Sequence, residues 1–224
     1  TGGTATISGS PGIKLKHTGT GSELGNVYIR FDTDSTTPSD LAVHLLNVDA
    51  VNIGQSIGYA NGQVSIDTVG GVAGTESFVN GVADNPTNLM ASGFTIAAAV
   101  GLADFHIING SDVTLGSSAV NKSFFGDHWI LQLGGQACQG LYAQGAVVTG
   151  IGTSTGEEMH FEGCDIGVAT IGHGHFDKCG FNGTLTMGQA SDYDFHNCYS
   201  RGDTAPVFTK TAGQAIVAEF QNYA

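Results

Sequence analysis

Hydrophobic and polar positions repeat at intervals along the stretch from Met159 to Ser200. Three times, a phenylalanine is followed three positions later by a cysteine, in the pairs Phe161–Cys164, Phe176–Cys179 and Phe195–Cys198. Two of these blocks lead through a glycine into a short run of β-type residues, at 168–171 and 184–187. Parallel coils that stack in register place equivalent residues in one column, so the pattern predicts successive coils of a β-solenoid.

The spacing of the three phenylalanines indicates what kind of solenoid to expect. They lie 15 and then 19 residues apart. A strand advances about 3.3 Å per residue, so such a coil encloses only a narrow core filled by side chains. Repeats of unequal length disfavour a hexapeptide left-handed helix and favour a right-handed parallel β-helix. An offset of three puts alternating residues on opposite faces, so a turn or bulge is predicted inside each block if phenylalanine and cysteine both point inward.

From residue 107 onward the sequence contains β-type runs and turns. The candidate strands are 112–116, 128–134, 140–144, 146–151, 160–166, 168–172, 175–181, 183–188, 193–200, 206–210 and 215–220. A helix over residues 86–100 is predicted to cap the first coil. Asn85 suits the N-cap, Pro86 the first helical position and Gly101 the C-terminal stop. Its apolar face would contain Leu89, Ile96, Ala97 and Val100.

The chain is expected to contain two regions. Residues 1–60 are interpreted as a small β-rich α+β region, with one short helix at 39–47. Residues 61–224 are predicted to form the β-helix with its entry helix. The expected fold class is therefore mostly β, a right-handed parallel β-helix (solenoid) with an N-terminal capping helix and a smaller β-rich N-terminal region.

Charge and cysteine usage exclude several kinds of partner. The chain has 7 basic and 20 acidic residues and a net charge of −13, which would repel DNA, RNA and other polyanions. No apolar run approaches the length of a membrane span. None of the four cysteines belongs to a C-x-x-C pair, so free thiols in a core ladder are expected rather than a zinc ribbon. A disulfide between neighbours would require Cα atoms within about 7 Å.

Two sets of motifs resemble known families. The segment Gly81–Pro86, between a glycine-rich loop and the predicted helix, resembles the entry to right-handed β-helices of the pectate-lyase-like superfamily. The following segments resemble, in order and spacing, a module of tailed-phage virion proteins: IDTVGGVAG, NGVADNP, GLADFHIING, FFGDHW, CDIGVATI, CGFNGTLTMG, YDFHNCYS and APVF, over roughly residues 64–220. The resemblance implies a homotrimeric tail fibre or tailspike, extracellular on the virion, that contacts other tail proteins and the host surface.

Acidic residues in the repeat region are candidates for catalysis. They are Glu157, Glu158, Glu162, Asp165, Asp177, Asp192 and Asp194. Two carboxylates about 5–9 Å apart can act as the acid and the base or nucleophile of a glycosidase. The resemblance to tailspikes implies a glycan depolymerase of this kind as an alternative function. Turns and coil edges also favour Asp, and this explanation needs no catalysis. The sequence does not select a pair.

Histidines in the same region are candidates for a metal site. They are His160, His173, His175 and His196. His173 and His175 fall on the same side of an extended strand, and imidazoles on adjacent coils can bind zinc or nickel. No third ligand has a defined spacing, so we interpret them as exposed residues that flank the core aromatics.

Three further features are given structural interpretations. Asp32 and Asp34 form a D-x-D without the Gly and Glu of an EF-hand, which indicates a loop. Trp129 is expected in the core, with stacking on a sugar as the alternative. The tripeptide Arg201–Asp203 is interpreted as a turn. The chain contains no Walker A loop, dinucleotide fingerprint or G-x-S-x-G motif.

The favoured function is a structural and adhesive virion protein, a tail fibre or spike component that attaches a phage tail to a host-surface glycan. A glycan depolymerase and a secreted bacterial β-helix adhesin stay open as alternatives. No catalytic, cofactor-binding or metal-binding residue is assigned, and no cofactor, nucleic-acid partner or membrane span is expected.

Overall fold

The structure is a computed structural model that describes residues 59–77 and 79–224. Nearly all of the predicted N-terminal region lies outside the described residues, including the predicted helix at 39–47 and the pair Asp32 and Asp34. A short 3₁₀ turn covers Ala60–Gly62 and helix α1 covers Met90–Val100. The strands are β1 (Gln63–Ile66), β2 (Asp104–Ile107), β3 (Asp112–Thr114), β4 (Ser123–Gln132), β5 (Gln136–Ala137), β6 (Tyr142–Thr153), β7 (Met159–Glu162), β8 (Asp165–Ile171), β9 (Gly174–Asp177), β10 (Gly180–Phe181), β11 (Thr184–Met187), β12 (Asp192–His196), β13 (Tyr199–Ser200), β14 (Val207–Lys210) and β15 (Val217–Gln221).

These strands form a parallel β-solenoid of about six turns. The first face stacks β1, β2, β4, β6, β7, β9, β12 and β15 in that order. The second face stacks β3, the later half of β4, the middle of β6, the start of β8, β10 and β13. The third face contains β5, the end of β6, the end of β8, β11 and β14. The prediction of a mostly β, parallel solenoid with a short helix before it is confirmed.

Helix α1 begins four residues later than predicted, at Met90 rather than Pro86. The residues before it are extended, because the N–H of Thr87 donates to the Ser65 carbonyl and the Thr87 carbonyl accepts from the N–H of Asp67. The predicted stop at Gly101 is confirmed, with φ +72°. Among the described residues, the structure has no helix with the length and apolar character that a bilayer crossing requires.

Glycine in the middle of α1 is explained by close packing on the solenoid. The buried residues of the helix are Met90, Gly93, Ile96 and Ala97. A Cβ atom at Gly93 would lie 2.4 Å from Cδ1 of Ile66. The helix therefore packs directly on the inner side of β1, and the predicted apolar face is partly wrong, since Leu89 is 56% exposed.

The core of the first face is a column of apolar side chains in register. From the first coil to the last it contains Val64, Phe105, Phe124, Ala143, Phe161, Phe176, Phe195 and Phe220. The rings of Phe161 and Phe176 stack at 5.3 Å, and those of Phe176 and Phe195 at 5.0 Å. The predicted alignment of the three Phe-x-x-Cys blocks is thus confirmed.

Ala143 is the small member of this column, and Trp129 lies next to it in the core. The indole is buried, its ring centroid is 6.4 Å from that of Phe124, and its Nε1 donates to the Gln144 carbonyl at 3.0 Å. The prediction that this tryptophan belongs to the core is confirmed. A buried indole requires such an acceptor.

The predicted turn between each phenylalanine and its cysteine is a left-handed corner. One residue with positive φ occupies it in five successive coils: Gly145, Gly163, Lys178, Asn197 and Asn222. Each predicted strand that crossed this position, such as 160–166, is therefore two strands joined by the corner. The N–H groups of Gly163, Lys178 and Asn197 each donate to a carbonyl of the next coil, at 2.8–2.9 Å. These bonds continue the ladder around the bend.

The corner returns the cysteine side chain to the core. Cys164, Cys179 and Cys198 are buried and unbridged, as is Cys138. The thiol of Cys179 donates to the Phe161 carbonyl at 3.2 Å, and the thiol of Cys198 to the Phe176 carbonyl at 3.4 Å. The prediction of free thiols in a core ladder is confirmed. Burial also raises the pKa of Cys138 to about 12, so this thiol stays protonated.

Candidate functional site

Six polar residues project from three adjacent coils of the first face and form what we call the histidine grid. They are Glu158 and His160 at β7, His173 and His175 at β9, and Asp192 and Asp194 at β12. Residues i and i+2 of a strand share a face, so each coil contributes two of them. The parallel register then places His160, His175 and Asp194 directly above one another.

Contacts within the histidine grid run between coils. The rings of His160 and His175 lie 4.4 Å apart, and Nδ1 of His175 lies 3.8 Å from a carboxylate oxygen of Asp194. Nε2 of His173 lies 3.9 Å from Glu158. One donor atom from each of Glu158, His175 and Asp194 lies within 4.8 Å of the other two. The grid thus brings two carboxylates and an imidazole to one point.

His160 is a partly buried member of this arrangement. Burial lowers the pKa of His160, and the neighbouring His175 lowers it further. Its ring is also 5.4 Å from that of Tyr142, whose ring in turn is 5.3 Å from Phe125. A row of adjoining rings, in edge-on and tilted contacts, therefore runs from His160 through Tyr142 to Phe125.

A second pair of carboxylates lies beside the grid and has its own counter-ion. Glu162 and Asp177 are neighbours in register, and Nζ of Lys178 lies 3.4 Å from the first and 2.9 Å from the second. Tyr142 donates to Glu162 at 2.6 Å. The tyrosine hydroxyl holds the pKa of Glu162 below its usual value, and the Lys178 ammonium does the same for Asp177. Both carboxylates are therefore ionised, which does not suit a general acid.

The second face contains a cleft of about 320 Å³. Its lining includes Ile130, Val147, Asp165, Tyr199 and Arg201. Gly180 stacks between Asp165 and Tyr199 in register, and the side chains of these two residues close over it, since a Cβ at Gly180 would lie 2.9 Å from Oδ1 of Asp165 and 3.1 Å from the Tyr199 ring. Arg201 forms an ion pair with Asp165 beside this position. Tyr199 is 41% exposed, so an aromatic ring and a charged pair are both accessible to a ligand.

The structure distributes the candidate acidic residues over separate places. Glu158 and Asp194 meet at the grid, Glu162 and Asp177 meet at Lys178, and Asp165 pairs with Arg201. Glu157 and Asp192 are exposed. Arg201 of the RGD tripeptide belongs to the cleft, and the two residues after it form a bend.

Sequence reasoning named all six residues of the histidine grid but did not predict that Glu158, His175 and Asp194 converge, and it did not predict the cleft. A signal for the grid was present, because the residue before each block's phenylalanine is His160, His175 or Asp194. Comparison of the chain with protein-family models, curated proteins and solved structures finds no match.

Proposed function

We propose that this chain is an attachment element of a phage tail fibre or spike, which binds a host-surface glycan through the cleft at Tyr199 and Arg201. The virion origin is supported by the resemblance of segments over residues 64–220 to phage tail proteins. The attachment role is supported by the cleft itself. It combines an exposed aromatic ring with a charged pair over a partly apolar floor, as ligand sites commonly do.

The charge of the chain favours one class of glycan. A net charge of −13 repels polyanions, so a neutral glycan is a better ligand than a strongly acidic capsule. Tyr199 offers a face on which a sugar ring can stack, while Asp165 and Arg201 offer an acceptor and donors for hydroxyl groups. Single sites of this kind bind weakly. Display on a homotrimer would raise the apparent affinity through avidity.

The experiment is a binding assay of the chain on immobilised host-surface glycans, with Tyr199→Ala and Arg201→Gln beside the natural chain. We expect both variants to lose at least about tenfold in apparent affinity, about 1.4 kcal/mol. Asp203→Asn is the matched control, because it changes an exposed residue next to the cleft. A native mass measurement of the same samples determines whether the chain is a trimer.

Two results would count against this proposal. One is unchanged binding by Tyr199→Ala and Arg201→Gln, which would move any glycan site elsewhere. The other is an absence of binding to every neutral glycan of the panel by the natural chain. A monomeric mass would remove the avidity argument but would leave the cleft to be tested as a single site.

A glycan depolymerase is the second candidate, and the separation of Glu158 and Asp194 favours it. Their carboxylate oxygens lie within 4.8 Å, close to the spacing of about 5–5.5 Å between the carboxyl groups of retaining glycosidases. Release of reducing sugar that is abolished in Glu158→Gln and Asp194→Asn would establish it. If neither the natural chain nor the variants release sugar, the attachment function stands alone.

A further inference from the structure

The carboxylates of the histidine grid differ from the other paired carboxylates in their counter-ions. Glu162 and Asp177 share the ammonium group of Lys178, and Asp165 contacts the guanidinium group of Arg201. Within residues 59–77 and 79–224, the ion pairs of Glu158 and Asp194 involve histidines only. Two carboxylates therefore converge on an imidazole with no permanent positive charge between them.

We propose that Glu158, His175 and Asp194 form a binding site for a divalent transition-metal ion of the Zn²⁺ type. Each residue offers one donor atom, and the three atoms lie within 4.8 Å of one another. Zinc bonds to imidazole nitrogen and carboxylate oxygen at about 2.0–2.2 Å, so its ligand atoms lie roughly 3.3 Å apart. Small side-chain rotations bring the three atoms together, because none of these side chains is locked in the core.

The donor set favours zinc-like ions over calcium. Ca²⁺ takes six to eight oxygen ligands, whereas imidazole with two carboxylates matches the three protein ligands of an open zinc site. His175 is partly buried, with its side chain 19% exposed, and its ring contacts the rings of His160 and His196. A fourth position would be left to water or to a ligand from outside the chain.

The ion would link three successive coils. Glu158 directly precedes β7, His175 belongs to β9 and Asp194 belongs to β12, and these strands stack in that order. In a solenoid each coil contacts mainly its neighbours, so a bond across three coils opposes their separation. Metal binding should therefore raise the unfolding temperature of the chain in a concentration-dependent way.

The test is a titration of the chelator-treated chain with ZnCl₂ by isothermal calorimetry, with CaCl₂ as a second titrant. We expect one zinc ion per chain at this site and a much weaker response to calcium. Asp194→Asn and Glu158→Gln should each weaken zinc binding at least about tenfold. Their matched controls are Asp203→Asn and Glu157→Gln, which make the same charge change at exposed positions outside the histidine grid.

Thermal unfolding of the same proteins without metal separates loss of binding from loss of folding. If the four variants unfold like the natural chain, a selective loss of zinc binding in Asp194→Asn and Glu158→Gln supports the site. Equal zinc affinity in all five proteins, or no zinc-dependent rise in unfolding temperature, would overturn it. The measurement contains no glycan, so it can fail or succeed independently of the attachment function.

Discussion

Phe176 occupies the middle of the phenylalanine column, where removal of a ring should cost the most stability. Its side chain is fully buried and stacks on Phe161 at 5.3 Å and on Phe195 at 5.0 Å. A third ring, Phe181, meets it edge-on at 5.4 Å. Each neighbour is itself held by the register of its strand, so the cavity left by Phe176→Ala cannot be filled by collapse.

The expected magnitude follows from this environment. A core Phe→Ala change costs about 3–5 kcal/mol, and a site that cannot collapse belongs at the upper end. Part of the loss comes from the aromatic pairs, at about 0.5–1.5 kcal/mol each. The matched control is Phe220→Ala at the end of the same column. Phe220 stacks on Phe195 and meets Phe208 and Tyr223 edge-on, but its side chain is 45% exposed, so about 2 kcal/mol or less is expected there.

The assay is urea unfolding of the natural chain and both variants, followed by the fluorescence of Trp129 and by far-ultraviolet circular dichroism. Coincident transitions by the two probes justify a two-state free energy. Trp129 lies three coils before Phe176, so separate transitions would show that the coils unfold in parts. The reasoning fails if Phe176→Ala costs less than about 1.5 kcal/mol, or no more than Phe220→Ala.

Three other predictions concern the corners, the acidic surface and the thiols. Gly163→Ala is expected to lower the free energy of unfolding by roughly 1 kcal/mol, and Gly145→Ala by well over that amount. A Cβ at Gly145 would lie 2.3 Å from the Gly126 carbonyl oxygen, whereas one at Gly163 would have no atom within 4 Å. Similar losses of stability for the two variants in urea unfolding would contradict this. The hydrogen bond from Tyr142 lowers the pKa of Glu162 in the folded chain. This bond therefore stabilises the fold fully at a pH above the pKa that Glu162 has in the unfolded chain, and the stabilisation is lost as the pH falls through the lower pKa of the folded chain. Tyr142→Phe should thus cost about 1 kcal/mol at neutral pH and less in acid; a cost independent of pH would argue against it. The buried thiols should resist alkylation in the native chain and react in urea, and rapid native labelling would disprove their burial.

The core of this fold was predictable because its columns repeat in sequence. Each block has a phenylalanine three positions before a cysteine, which aligns Phe161, Phe176 and Phe195. Because residues three apart on a straight strand point to opposite faces, a corner was required between them. Its positive-φ residues are Gly163, Lys178 and Asn197. The start of α1 was not predictable from capping residues. The backbone groups of Thr87 pair with the region of β1, and this tertiary pairing overrides the local preference of Asn85 and Pro86 for a helix start.

The surface sites were harder to predict, because they depend on register between distant residues. Glu158, His175 and Asp194 come from three different coils, and only the parallel pairing of β7, β9 and β12 brings them together. Arg201 meets Asp165 by passing over a coil whose outward residue is Gly180. Neither contact corresponds to a short motif. Alignment of the blocks on their phenylalanines would have given the grid but not the cleft.

Parallel stacking also explains why the carboxylate clusters and the histidine grid lie on the outer surface of the solenoid. Coils in register are about 4.8 Å apart, so each residue contacts the residues at the same position in the coils above and below. In the core, this spacing favours phenylalanine rings stacked on phenylalanine rings. Outside, it penalises acidic residues stacked on acidic residues, which a chain of net charge −13 cannot easily avoid.

Lys178 and Arg201 offset that repulsion at two places where carboxylates lie among stacked coils. At the histidine grid the ion-pair partners of Glu158 and Asp194 are histidines, and no lysine or arginine of the described residues pairs with either carboxylate. Two carboxylates without a permanently charged partner therefore lie close together at this point of the first face. An incoming cation finds an imidazole donor and two carboxylates there that no fixed positive charge of the described chain offsets.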